Sequence, residues 1–121
     1  MIIYCSKDLL FATKIGSTAD ALGVENRPAR DADALGKRLD QLDDGKCNDA
    51  VTAVFVDLQM GPIAIDLIAQ TKAHAATITV IAFGRHTDVD LLAQASKRGS
   101  DHVLVRSEFV VQLPQLLQQY A

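Results

Sequence analysis

The sequence has no tryptophan, two cysteines and three prolines, and aromatic residues make up only 5% of it. Cys5 and Cys47 stand far apart, with no CxxC pair and no histidine at zinc spacing. That excludes the disulfide framework of a small secreted domain and a structural zinc site, and it predicts a reduced, cytoplasmic protein. An excess of basic charge is also missing. Lys and Arg number 12 against 15 Asp and Glu, for a net charge of −3, which argues against a broad basic surface for nucleic acid. No apolar run approaches the roughly 18 residues of a membrane span. The start, Met1 to Asp8, has neither the basic n-region nor the long h-region of a signal peptide. Gly16, Gly23 and Gly61 are too dispersed for a GxGxxG fingerprint, so dinucleotide binding has no support.

What is present is a chain of 121 residues, 49% hydrophobic and 22% charged, enough for one compact core and read as a single domain over 1–121. Five short apolar runs punctuate it: Ile2–Cys5, Val24–Ala29, Ala53–Asp57, Ile78–Phe83 and His102–Val105. The second is short and polar at Glu25-Asn26-Arg27, whereas the others are apolar on both faces, as strands covered by helices on both sides are. Between them lie stretches of helical period. The first runs from about Asp8 to Leu22; the second carries Leu35, Leu39 and Leu42 after caps at Asp31 or Asp33. The third opens at Gly61-Pro62, and the fourth runs from Asp88 to a stop at Gly99. In the fifth, Pro114 is expected to break the helix, leaving a turn from Glu108 and a proper helix only from about Leu113. The polar stretch 43–49 is expected to be the most mobile loop. Alternating βα units predict right-handed crossovers and a doubly wound α/β sheet with helices on both faces. Val54, Val56, Ile81, Val103 and Leu35 are the expected core.

Ligands of open α/β sheets bind beyond the carboxyl ends of the strands. Those ends carry Cys5-Ser6-Lys7-Asp8, Asp57, Gly84-Arg85-His86 and Arg106-Ser107. Asp57 stands out, because it puts an ionisable group at the lip of the buried run Val54-Phe55-Val56. The bland account is that it caps the following turn or faces solvent.

Three segments, in order and in register, resemble the receiver domain of two-component response regulators. Val54 to Pro62 looks like that family's third strand, phosphoacceptor aspartate and following loop. Ile78 to Phe83 looks like its fourth strand, and Gly99-Ser100-Asp101-His102-Val103-Leu104-Val105-Arg106 is similar to the stretch around its fifth. The resemblance spans essentially the whole chain. It implies a flavodoxin-like, five-stranded parallel sheet of order 2-1-3-4-5, a role in signal transduction, and Asp57 as the phosphoacceptor.

The rest of the family's apparatus is altered. Two acids after the first strand, which help to hold Mg²⁺, fall on Cys5 and Ser6, or on Ser6 and Lys7 after a one-residue slip; only a two-residue slip brings in Asp8. The hydroxyl residue after the fourth strand falls on Gly84 and its small neighbour on Arg85. The lysine after the fifth strand falls on Arg106, and the proline that follows it on Ser107. The expected pocket around Asp57 therefore comprises Ser6, Lys7, Asp8, Gly84, Arg85 and Arg106, with an ion pair from Asp57 to Lys7 or Arg106, no metal and no cofactor. The reading is a degenerate, pseudo-receiver-like interaction module rather than an enzyme.

Two alternatives stay open. One is a competent receiver, phosphorylated on Asp57 with Mg²⁺ held by Asp57 and Asp8. The other is a small phosphotransfer enzyme using Cys5 as nucleophile, although no glycine follows to wrap a phosphate and Phe11 stands where cysteine phosphatases have arginine. Partners implied by the resemblance are a signalling protein or a second copy of the chain. They would meet the face formed by the fourth helix, fifth strand and fifth helix, which includes Leu91, Lys97, Val111 and Gln112.

Overall fold

The computed structural model describes residues 1–43 and 46–121. Strands β1 (Ile2–Cys5), β2 (Asn26–Pro28), β5 (Ala53–Asp57), β6 (Thr79–Gly84) and β7 (His102–Val105) form one parallel sheet in the order β2-β1-β5-β6-β7. Counted along the sheet strands alone, that is the predicted 2-1-3-4-5. A second, two-stranded ribbon pairs β3 (Leu42–Asp43) antiparallel with β4 (Lys46–Cys47). It occupies much of the stretch expected as a mobile loop, of which Asp44 and Gly45 lie outside the described residues.

Each central strand is apolar on both faces because it serves two cores. Ile3, Cys5, Val54, Val56, Val80 and Ala82 point into one, with Leu35 and Leu39 of α2 (Ala32–Leu39), Leu67 and Ile68 of α3 (Pro62–His74), and Ala95 of α4 (Val89–Lys97). Ile2, Phe55, Ile81 and Phe83 point into the other, with Ile15 and Ala19 of α1 (Leu9–Ala21) and Phe109, Leu113, Leu116 and Leu117 of α5 (Arg106–Gln119). Neighbours in sequence thus alternate between layers, as a period of two requires.

Helix starts follow the capping chemistry. Asp8 accepts the backbone N–H groups of Leu10 and Phe11, and Asp31, not Asp33, accepts that of Ala34. Asp88 occupies the N-cap position of α4 without making a side-chain cap bond. Helix α2 ends early: Gln41 takes a left-handed backbone (φ 61°), so Leu42 leaves the helical stripe and enters β3. Val103 is half-buried, not enclosed, because β7 is an edge strand covered on one side by little more than α4.

The larger correction concerns α5, which runs unbroken from Arg106 to Gln119 through Pro114. Proline inside a helix forfeits one hydrogen bond and crowds the preceding turn, at a cost of about 3 kcal/mol. Here Pro114 lies on the exposed side, where water reaches the helix, while Phe109, Leu113, Leu116 and Leu117 are buried on the other. Burying four large side chains is worth more than the penalty, so tertiary packing carries the helix across.

A polar clamp secures the approach to β6 and β7. Lys72 Nζ meets Asp101 Oδ2 at 2.6 Å and the Ile78 carbonyl at 2.6 Å, while the Val80 N–H donates to Asp101 Oδ2 at 2.7 Å. The Lys72 side chain crosses Gly99, where φ is 113° and a Cβ would stand 2.9 Å from Lys72 Cγ, so the position suits glycine alone. Burial would raise the Asp101 carboxyl, but the Lys72 and Val80 hydrogen bonds and the Lys72 charge together hold it below the usual range.

Two outcomes follow for stability. Val56 is fully enclosed, so Val56→Asp is expected to lower the free energy of urea unfolding by about 4 kcal/mol, whereas Val111→Asp, at 81% exposure, changes it by less than about 0.5 kcal/mol. A depressed Asp101 carboxyl contributes stability that is present above its unfolded value of about 4 and lost as pH falls through the lower folded value. Asp101→Asn should therefore cost about 1 kcal/mol at neutral pH, and the urea midpoints of the two proteins should converge below about pH 4.

Candidate functional site

The strand ends gather Ser6, Asp57 and Gly84 at one edge of the sheet, with the α1 N-terminus, the 3₁₀ turn Leu58–Met60 and the α5 N-terminus around them. Asp57 is 1% exposed. A carboxylate so enclosed needs its lone pairs satisfied. Oδ2 accepts the Ser6 hydroxyl at 2.8 Å and Oδ1 accepts the Gln59 N–H at 3.0 Å. Ser6 is itself buried, and its Oγ accepts the Asp8 N–H at 3.2 Å. Asp57 therefore caps the turn that follows it, as the bland sequence account allowed, while also anchoring a chain of hydrogen bonds back to the start of α1.

Arg106 lies across the mouth. Its guanidinium donates to Gln59 Oε1, meets Asp8 Oδ2 at 3.5 Å, and sits 4.6 Å from the centre of the Phe11 ring. Phe11 stacks on Phe83 at 5.0 Å and Phe83 on Phe109 at 4.0 Å, with Phe55 edge-on to Phe109 at 5.5 Å. All four phenylalanines of the chain thus form one column beneath the guanidinium.

The expected ion pair from Asp57 is not there: among the described residues neither Lys7 nor Arg106 pairs with it. Asp8 lies within reach of Arg106 and, with the Gln59 amide and the Phe11 face, draws the guanidinium away. Lys7 and Arg85 are exposed, and neither makes an ion pair among the described residues. Ser6 is joined to Asp57 directly, Asp8 through Ser6 and Arg106 through Gln59; Lys7 and Arg85 are not.

Gly84 is at the site for a steric reason. A Cβ there would lie 3.2 Å from both Cβ and Cδ1 of Leu58 and 3.5 Å from Leu92 Cδ2. A side chain on residue 84 would press on Leu58, which is fully buried. Two hollows flank the site. A groove of about 420 Å³ between α1 and β2 includes Ser6, Tyr4, Gly16 and Arg30 in its walls. A crevice of about 280 Å³ is lined by Arg85, His86, Thr87, Val105, Arg106 and Ser107. Asp57 lines neither.

Cys5 is enclosed in the sheet, and burial pushes its thiol up to about 12. An activated nucleophile needs the opposite shift, so the reading of Cys5 as a catalytic group finds no support. His74, His86 and His102 are dispersed, and among the described residues no three of His, Cys, Asp and Glu cluster as metal ligands do. No helix among the described residues is long and apolar enough to cross a membrane.

Sequence reasoning missed Gln59, Leu58 and Phe11 as parts of the site. Gln59 and Leu58 lie in the turn directly after Asp57, where a capping carboxylate must find a backbone donor two residues on. Phe11 had a weaker signal: it is three residues past the Asp8 cap, one helical turn along α1, on the side turned to the sheet.

No family model and no curated protein sequence matches this chain. Solved structures do. The receiver domain of NtrX from Brucella abortus aligns with a TM-score of 0.79 at 16% identity, covering 99% of this chain and 97% of that one. A response regulator from Thermotoga maritima aligns with a TM-score of 0.72 at 15% identity, covering 98% and 94%. The phosphorylated cyanobacterial phytochrome response regulator RcpA aligns with a TM-score of 0.74 at 15% identity, covering 98% and 88%. Against a longer NtrX chain the alignment covers 26% of that protein. With identities this low the likeness is one of fold, and the fold of this chain is that of response-regulator receiver domains.

Proposed function

We propose that this chain is a receiver-type signalling module that acts through protein contacts, without efficient Mg²⁺-dependent phosphotransfer at Asp57. The observation that carries the reading is the pair of protein donors on the carboxylate, the Ser6 hydroxyl on Oδ2 and the Gln59 N–H on Oδ1. A divalent cation with oxygen ligands is favoured where carboxylates crowd together and repel. The donors beside Asp57 do not suit it: Ser6 is neutral, and the Asp8 carboxylate is engaged by the first turn of α1 and by Arg106. Phosphoryl transfer depends on positioning and charge neutralisation. Here the hydroxyl that would contact a phosphoryl group is replaced by Gly84, where a side chain would press on Leu58.

In this reading the output is a docking event. On the face of α4, β7 and α5, Val111 is 81% exposed on α5 and Leu91 is half-buried on α4, apolar positions suited to a signalling protein or to a second copy of the chain.

Incubation with acetyl phosphate and millimolar Mg²⁺, followed by intact-mass measurement, is expected to leave the chain unmodified. Near-complete phosphorylation that disappears in Asp57→Asn would establish the competent-receiver alternative in its place. For the docking face, Leu91→Glu and Val111→Glu are expected to weaken self-association or partner capture at least about ten-fold. Association unchanged by both substitutions, measured by analytical ultracentrifugation and pull-down, would remove that face from the account.

A further inference from the structure

The geometry points to Arg106 as a built-in strap that holds the turn over Asp57 in one arrangement, a positioning residue acting through Gln59. This deepens the reading of a non-phosphorylating module and rests on it: the strap supplies, permanently and from within the chain, the contacts to that turn that a bound group would supply transiently.

Three elements meet at this side chain, and a fourth is reached through Phe11. Arg106 is the first residue of α5. One of its nitrogens reaches the side chain of Gln59 in the turn after β5, another faces the Asp8 carboxylate at the α1 cap, and the guanidinium plane covers Phe11 on the next turn of α1. Phe11 rests on Phe83, the penultimate residue of β6. Gln59 also donates its N–H to Asp57 Oδ1. Arg106 therefore grips, by its side chain, the residue whose backbone grips the buried carboxylate. The second tie runs below it, from the Asp8 N–H to Ser6 Oγ and from Ser6 to Asp57 Oδ2. Asp8 belongs to both ties, one through its backbone and one through its carboxylate. Asp57 is thus held from two sides by groups that converge on a single α1 cap.

The chemistry of the strap is specific to arginine. A planar fork bonds two partners at once while its face lies on a ring, and a lysine ammonium, a point charge on a flexible stem, cannot do all three. The Arg106 side chain is 25% exposed and that of Asp8 40%, so the pair is partly shielded from water and from salt. Lys7 and Arg85 border the same strand ends without joining this network, which makes Arg85 a suitable control.

Amide hydrogen exchange on the full chain tests the proposal. Arg106→Ala is expected to speed exchange of the Gln59 and Met60 amides about five-fold or more, the loss of an ion pair and a cation–π contact, while Phe55 and Ala82 in the sheet keep their rates. Asp8→Asn retains the helix cap but releases one end of the strap, and should speed Gln59 exchange as well. Arg106→Lys should resemble Arg106→Ala at Gln59, and Arg85→Ala should leave every rate unchanged. Gln59 exchange at the wild-type rate in Arg106→Ala, full restoration by Arg106→Lys, or equal acceleration at Phe55 and Ala82 would each overturn the strap. Phosphorylation of the wild-type chain by acetyl phosphate, with the Gln59 effect of Arg106→Ala intact, would instead overturn the non-phosphorylating reading and leave the strap standing.

Discussion

A carboxylate at the end of a fully buried strand must be satisfied by something, and in this protein the partners of Asp57 come from the chain itself. Asp57 closes the central strand of a sheet sealed by helices on both faces, so bulk water cannot solvate it. Leaving one buried polar group unpaired costs about 1–3 kcal/mol, and more for a charge. The Ser6 hydroxyl and the Gln59 N–H meet that demand. Once they do, each carboxylate oxygen has a donor, the turn after β5 is capped, and the start of α1 is tied to the middle of the sheet through Ser6 and Asp8. Leu58 packs against Gly84, with 3.2 Å between its Cβ and the place a residue-84 Cβ would take.

The aromatic column gives the other half of the arrangement. A chain with four phenylalanines and no tryptophan gathers all four on one side of the sheet, between α1 and α5. Stacked rings bury much area and add a modest directional term. They also offer one exposed π face, that of Phe11, to a cation. Arg106 takes it, and so a core feature reaches the surface beside the turn that follows Asp57.

Much of the fold was legible because the signals were local and mutually consistent. Ile2–Cys5, Ala53–Asp57 and His102–Val105 are strands at the bounds their apolar runs predict, and Asp8 and Asp31 cap the helices that follow them. Where the reading failed, packing or a backbone turn overrode the local pattern. Pro114 forbids a helix by its own chemistry, yet the four buried side chains of α5 keep it helical. Leu42 continues the stripe of α2 in sequence, but a left-handed Gln41 turns the chain before it. At the site, Asp57 and Ser6 were found from their place at strand ends. The partner of Arg106 was not, because three groups brought together only by folding, Asp8, Gln59 and Phe11, compete for it against the nearby carboxylate of Asp57. Charge proximity in a list of strand ends does not decide such a competition; the fork geometry and the ring face do.

The central claim is that protein donors have taken the place of a cation at Asp57. Titration of the full chain with Mg²⁺, followed by the backbone amide resonances of Leu58, Gln59 and Gly84, addresses it most directly. The account predicts that these resonances stay at their metal-free positions through the millimolar range. Saturable shifts centred on Leu58 and Gln59 at micromolar to low-millimolar Mg²⁺, abolished by Asp57→Asn, would contradict it.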